Sequence, residues 1–158
     1  SSCVGGVGFL LALKFQTNWQ ARAFVSLLYF NSTSNRSASE QCECGLYGLN
    51  SPLLSAQGFV AIPKTTSLQA CDWNTQFSIT EPPWIALIER GNCTFAEKIK
   101  VAARRGATAA VIYNAPAKRN YPIPMSHIGE CCGVKRWDLI LPLSLAQHNR
   151  AVRRHLCS

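Results

Sequence analysis

The stretch that decides the fold runs Trp84-Ile85-Ala86-Leu87-Ile88-Glu89-Arg90-Gly91-Asn92-Cys93-Thr94-Phe95-Ala96-Glu97-Lys98-Ile99 and on through Gly106 to Ala107-Thr108-Ala109-Ala110-Val111-Ile112-Tyr113. Its first five residues are an apolar run ended by Glu89-Arg90-Gly91, the length and composition of a buried strand. Thr94 followed three residues later by Glu97 is a capping box, in which each side chain satisfies a backbone N–H that a helix start leaves unpaired. A helix is therefore expected from Phe95. Phe95, Ile99, Ala102 and Ala103 recur at helical spacing, Lys98, Lys100, Arg104 and Arg105 form its polar face, and Gly106 stands where a left-handed residue closes a helix. Ala107 to Tyr113 reads as a second buried strand. The whole is a strand-helix-strand unit, whose default outcome is a right-handed crossover between parallel strands.

Outward from this unit, Ala21 to Phe30 is rich in strand formers and reads as an opening strand that runs into a polar loop, Asn31 to Glu43. Gly45-Leu46-Tyr47-Gly48 with Ser51-Pro52 is turn chemistry, and Gly58 to Ile62 before Pro63 reads as a short buried strand. Pro63 to Pro83 is a long irregular passage. Toward the end, Leu139 to Leu143 is strand-like, with Pro142 placing it at an edge or a strand end. Ser144 and Gln147 suggest a second cap, with helix from Leu145 to His155.

One hundred and fifty-eight residues, 47% apolar and 15% charged, suffice for one globular core. The longest apolar stretch, Cys3 to Leu13, holds three glycines and falls short of the roughly 20 residues a membrane-spanning helix needs. Position 1 is serine, without a basic cluster before the apolar stretch, so the chain reads as a piece of something longer. Charge is uneven: residues 1–97 carry five Lys/Arg against six Asp/Glu, residues 98–158 eleven against two. The basic residues fall in pairs without interleaved aromatics, which argues for solvated faces and against nucleic acid.

The eight cysteines, at positions 3, 42, 44, 71, 93, 131, 132 and 157, contain no C-x-x-C pair. A zinc site would need an unusual set such as Cys42, Cys44, Cys131 and Cys132, and no metal is expected. An even, fairly high count points instead to an oxidising compartment. Asn31-Ser32-Thr33 and Asn35-Arg36-Ser37 are glycan acceptor sequences in a Ser/Asn-rich stretch, so Asn31 and Asn35 are expected to carry glycans on a lumenal or extracellular domain. Asn92-Cys93-Thr94 also fits, but Thr94 is committed to the helix start. Cys71 with Cys93 is the best disulfide candidate, because it would tie the irregular passage to the helix start, and closing that loop is worth about 3 kcal/mol in the chain-entropy model. The pairing of the other six is open.

Catalytic machinery is not found. Two aspartates, Asp72 and Asp138, and three histidines leave few nucleophile-His-Asp sets, there is no Gly-x-Ser-x-Gly elbow, and Ser126 and His127, as neighbours on extended backbone, point to opposite faces. Glu97 is explained as a cap and Glu89 as a strand end, which leaves no carboxylate pair. Gly5-Gly6-Val7-Gly8 lacks the Lys-Ser/Thr of a phosphate loop. The vicinal Cys131-Cys132 reads as two separate pairings or free thiols in preference to a redox centre.

Five spaced blocks then carry a resemblance: Gly45-Leu46-Tyr47-Gly48-Leu49-Asn50-Ser51-Pro52; Ala70-Cys71-Asp72 with Asn74-Thr75-Gln76-Phe77; Trp84 to Phe95; Lys98-Ile99; and Pro124-Met125-Ser126-His127. Together they resemble the protease-associated (PA) domain of the Goliath/GRAIL group of transmembrane RING ubiquitin-protein ligases, over about residues 22–129. Trp73 stands where that family usually has proline, and the likeness ends after Gly129. The resemblance implies a β-rich α/β domain, its small sheet open or barrel-like with one or two flanking helices and long loops. It further implies a Cys71–Cys93 bridge, no cofactor, and a non-catalytic lumenal or extracellular module that captures protein substrates or membrane-protein ectodomains for a membrane-anchored ligase whose RING and membrane helix have no counterpart here. Other readings are the accessory domain of a secreted or membrane peptidase, or a stand-alone secreted glycoprotein. The expected organisation is 1–21 unassigned, 22–129 PA-like, and 130–158 a divergent segment supplying a strand plus helix. Because the strands and helix read as core, recognition is expected on the loops Thr65–Gln76 and Ala115–His127, with Trp73, Tyr121, Ile123 and Met125 as apolar anchors.

Overall fold

The computed structural model describes residues 10–15, 22–31, 34–48, 55–114 and 137–141. Its elements are β1 (Leu10–Phe15), β2 (Arg22–Asn31), β3 (Arg36–Tyr47), β4 (Ala56–Ala61), β5 (Trp84–Glu89), α1 (Phe95–Arg104), β6 (Ala109–Tyr113) and β7 (Trp137–Leu141). The strands pair in the ring β1-β2-β3-β7-β6-β5-β4, which closes into a barrel because β1 also pairs with β4. Of the two arrangements expected for the sheet, the barrel-like one is present.

The strand-helix-strand unit forms as read. β5 and β6 are parallel, Ile85 opposite Ala109 and Ile88 opposite Ile112, with α1 as the crossover. At the helix start the Glu97 N–H donates to Thr94 Oγ1 at 3.2 Å, while the Thr94 N–H donates to Glu97 Oε2 at 2.8 Å. The Thr94 N–H, and with it the Thr94 hydroxyl, which also donates to Oε2 at 2.8 Å, hold the Glu97 carboxyl below the usual carboxylate range. Gly106 closes the helix at φ +95°, with the Ala107 N–H donating back to the Ala102 carbonyl at 3.1 Å.

β5 is buried along almost its whole length because both its faces are covered. Ile85 and Leu87 share one face with Ala109, Val111, Val60, Val25 and Leu27 inside the barrel. Trp84, Ala86 and Ile88 share the other with Ala110 and Ile112, under Ile99 and Ala102 of α1 and under Ala70 and Phe77 of the irregular passage. Phe77 packs on Trp84 at 5.1 Å between ring centroids. Two thin cores thus sit on either side of one sheet, and every apolar residue of a continuous strand run finds a dry neighbour.

Several elements differ from expectation. Arg36–Tyr47, read as polar loop and turn, is the longest of the described strands, paired antiparallel with β2 from Asn31 opposite Arg36 to Arg22 opposite Leu46. Its Ser, Glu and Gln content has low strand propensity, and pairing with β2 overrides that preference. Leu10–Phe15, within the segment left unassigned, is β1, inserted between β2 and β4. β7 begins two residues earlier than read and is paired on both sides, parallel to β6 and antiparallel to β3, so it is not an edge. Strands from residues 1–21 and 130–158 therefore belong to the same ring as those from 22–129. The helix expected over 145–155 lies outside the described residues.

The passage Pro63–Pro83 is tied down along its length. Pro63 bridges Phe77, the Lys64 N–H donates to the Gln76 carbonyl at 2.7 Å, and the Glu89 N–H donates to the Leu68 carbonyl at 2.8 Å. The Cys71–Cys93 disulfide is formed, with Cα atoms 5.7 Å apart, and joins this passage to the start of α1.

Two outcomes follow from this packing. A Cβ on Gly58 would lie 2.8 Å from the Pro83 carbonyl oxygen, which accepts the Phe59 N–H at 3.0 Å. Gly58→Ala should lower stability in chemical denaturation by about 1–3 kcal/mol through overpacking, while Gln57→Ala, at an exposed site on the same strand, should be neutral. Cys71→Ser and Cys93→Ser should each cost about 2–4 kcal/mol, and the double variant little more than either, because all three lose the same cross-link; additive losses would show that each cysteine acts separately.

Candidate binding surface

A buried cation organises the loops beside the helix start. Lys98, assigned by helical spacing to the polar face of α1, is fully buried. Its Nζ donates to the Gln69 carbonyl at 2.5 Å and the Gly91 carbonyl at 2.7 Å, and it lies 3.6 Å from Cys71 Sγ. The two carbonyls point inward from segments with left-handed backbone, Ala70 at φ 50° and Gly91 at φ 134°. Burial pushes the Lys98 ammonium down to about 8, with Glu89 and Glu97 pulling the other way. Loop, disulfide and helix thus meet on one ammonium group, and the segments on either side are held rigid.

From that anchor the chain runs directly into Trp73. Asp72 builds the turn: its carboxylate accepts the Asn74 N–H at 2.8 Å, and its carbonyl accepts the Thr75 hydroxyl at 2.7 Å and the Thr75 N–H at 3.0 Å. Arg105, just after α1, grips the same turn, Nε donating to the Thr75 carbonyl and Nη2 to the Asn74 carbonyl, both at 2.9 Å. Trp73 is left on the outside of this fixed turn, 53% exposed, with the Arg104 guanidinium 4.6 Å from its ring centroid. An exposed indole backed by a cation presents a flat apolar face at little entropic cost on binding.

The second expected loop leaves from a similarly fixed point. Arg90 Nη1 donates to Asn114 Oδ1 at 3.3 Å, the guanidinium lies over Phe95 at 5.8 Å, and the Arg90 N–H donates to the Tyr113 carbonyl at 2.8 Å. Tyr121, Ile123 and Met125 lie outside the described residues. So do Cys131 and Cys132, and the side chains of Cys42 and Cys44. Among the described residues no group of three or more His, Cys, Asp or Glu is placed to hold a metal, and no helix is long and apolar enough to cross a membrane. Asn35 is exposed at the tip of the β2-β3 hairpin with φ 53°, and Asn31 ends β2. The structure also exposes strand residues that the loop-based reading missed. Leu28, Phe30 and Phe59 are 44%, 40% and 42% exposed, and Leu28 and Phe59 both lie opposite half-buried Leu10. The alternation in β4, with Ala56, Gly58 and Val60 buried and Gln57 and Phe59 exposed, is the signal that the apolar composition of that strand concealed.

Comparison with known proteins agrees with this architecture. The family described as PA domain matches residues 56–131, from β4 through the strand-helix-strand unit. RING finger protein 148 of Bos taurus is 40% identical over 129 residues, covering 78% of this chain and 41% of its own length. E3 ubiquitin-protein ligase RNF128 of Homo sapiens is 40% identical over 153 residues, 81% of this chain and 36% of its own. E3 ubiquitin-protein ligase RNF133 of Rattus norvegicus is 47% identical over 95 residues, 59% and 25% respectively. The chain spans about two-fifths or less of the length of these relatives. With a PA-type strand-helix-strand core, a PA family match and relatives of this kind, the chain carries a PA domain similar to that of the Goliath/GRAIL group of RING ubiquitin-protein ligases.

Proposed function

We propose that this chain is the non-catalytic capture module of a membrane-anchored RING ubiquitin ligase, displayed on the lumenal or extracellular side, where it holds protein substrates or membrane-protein ectodomains. The observation that carries the reading is its PA-domain likeness to proteins named as E3 ubiquitin-protein ligases, which it matches over only part of their length. The formed Cys71–Cys93 bridge fits an oxidising compartment. The mode of capture is read from the surface: the seven strands close on one another, so strand addition at a sheet edge has no place among them, and recognition falls to the loops. Trp73, rigidly mounted and backed by Arg104, is the anchor, and Arg104 and Arg105 beside it favour partners with acidic or aromatic side chains.

Trp73→Ala in the secreted chain should abolish photo-crosslinking to a co-displayed substrate ectodomain while lowering the melting temperature by no more than about 2 °C, the scale of one exposed cation–π contact. Capture that survives the substitution would remove Trp73 from the site. The purified chain, given activating and conjugating enzymes, should transfer no ubiquitin; transfer by the chain alone would overturn the assignment of catalysis to another part of the ligase.

A further inference from the structure

The Cys71–Cys93 bridge is electrostatically lopsided. Lys98 Nζ lies 3.6 Å from Cys71 Sγ and is fully buried, so little solvent screens it from that sulfur. The carbonyls of Gln69 and Gly91, 3.7 and 3.6 Å from the same sulfur, are those that Lys98 holds by hydrogen bonds. Cys93 sits beside the N-terminus of α1, which would ordinarily favour a thiolate there. That end is already occupied: Thr94 and Glu97 satisfy each other's N–H groups, and the Glu97 carboxylate places negative charge at the helix start. Both cysteines are half-buried.

We propose that Cys93 is the site at which a small thiol forms a mixed disulfide with this domain, with Cys71 departing as a thiolate stabilised by the Lys98 ammonium. The attacking thiolate bonds to Cys93 Sγ, the Cys71–Cys93 sulfur–sulfur bond breaks, and its electron pair leaves on Cys71; Lys98 keeps its proton. A second thiolate attacks the sulfur of the first thiol in the adduct, releasing Cys93 as a thiolate and the two small thiols as their own disulfide. The domain gains two electrons and the thiols lose two. The choice of sulfur follows from the leaving group, since a disulfide opens faster toward the thiol of lower pKa. The charged and titratable groups around the pair are few. Glu89 from β5 and Glu97 from α1 support the Lys98 charge, Tyr113 of β6 donates to Glu89, and Arg90 is engaged by Asn114 and Phe95. From the irregular passage, the carboxylate of Asp72 accepts the Asn74 N–H. Opening the bridge removes the covalent tie between α1 and the segment that carries Trp73, so the adduct reports directly on how firmly that segment is held.

The test is where glutathione lands on the intact oxidised chain. After brief exposure and an acid quench, trypsin releases Thr65–Arg90, whose only cysteine is Cys71, and Gly91–Lys98, whose only cysteine is Cys93. At pH 7 the glutathione adduct on the Cys93 peptide should exceed that on the Cys71 peptide by about tenfold, because the disulfide opens faster toward the better-stabilised leaving thiolate. Because the Lys98 charge is lost as pH rises through about 8, the ratio should fall toward one by pH 9.5. Lys98→Gln, which keeps a donor but no charge and whose Cys93 peptide runs on to Lys100, should show the low ratio at pH 7. Equal adducts, or an excess on Cys71, would overturn the proposal. An excess on Cys93 that ignores pH would remove Lys98 from it, and this wild-type pH series decides the matter even if Lys98→Gln does not fold.

Discussion

One ammonium group, that of Lys98, fixes how the irregular half of the domain meets the regular half. It is the single charged side chain taken wholly into the interior among the described residues. An isolated buried charge would be costly, and the cost is offset only because two backbone carbonyls are turned inward to receive it. Those carbonyls belong to chain segments that precede and follow β5, and the disulfide joins the same two segments covalently. The path of the loop, the entry of the helix and the position of Cys71 are therefore mutually dependent. Loosening one leaves a buried donor or acceptor without a partner, at about 1–3 kcal/mol each.

What was legible in the sequence was what is encoded locally. The capping box at Thr94 and Glu97, the closing Gly106 and the two apolar runs act over a few residues, and each stands where it was read. β3 was illegible because the Ser-, Glu- and Gln-rich run of Arg36–Glu43 reads as polar loop; its form is imposed by β2 alongside. The burial of Lys98 was hidden for a related reason. Helical spacing assigns charged residues to solvent, and the acceptors that reverse this come from Gln69 and Gly91, through backbone angles that no periodicity reports. The candidate site was half readable. Trp73 was expected on the surface and lies there, but its backing by Arg104 and the grip of Arg105 on the turn are tertiary.

The same division governs where the domain places its apolar and its polar groups. Its well-packed residues are spent on two thin cores, and among the described residues the polar groups brought close together, Lys98 with its carbonyls and Asp72 with its turn, serve to hold backbone in place. Rigid loops on such a scaffold can vary in sequence without disturbing the strands beneath them. Trp73 is carried on one such loop, at a turn whose geometry is set by its neighbours.

The ring of strands also dictates the order in which the domain can be completed. β3 and β6 both pair with β7, and Leu46 finds Ile140 only after all the residues between them have been made. At synthesis rates of about 5–20 residues per second, β6 waits roughly 1–6 seconds for β7 with one side unpaired, and such non-local pairings are in any case slow to form. The nascent domain thus passes through a period when a strand of Ala-Ala-Val-Ile-Tyr is open to other chains. The β2-β3 hairpin, with Asn35 at its tip, is synthesised long before that gap closes, so the antiparallel half of the ring stands ready while the parallel half still lacks its last strand.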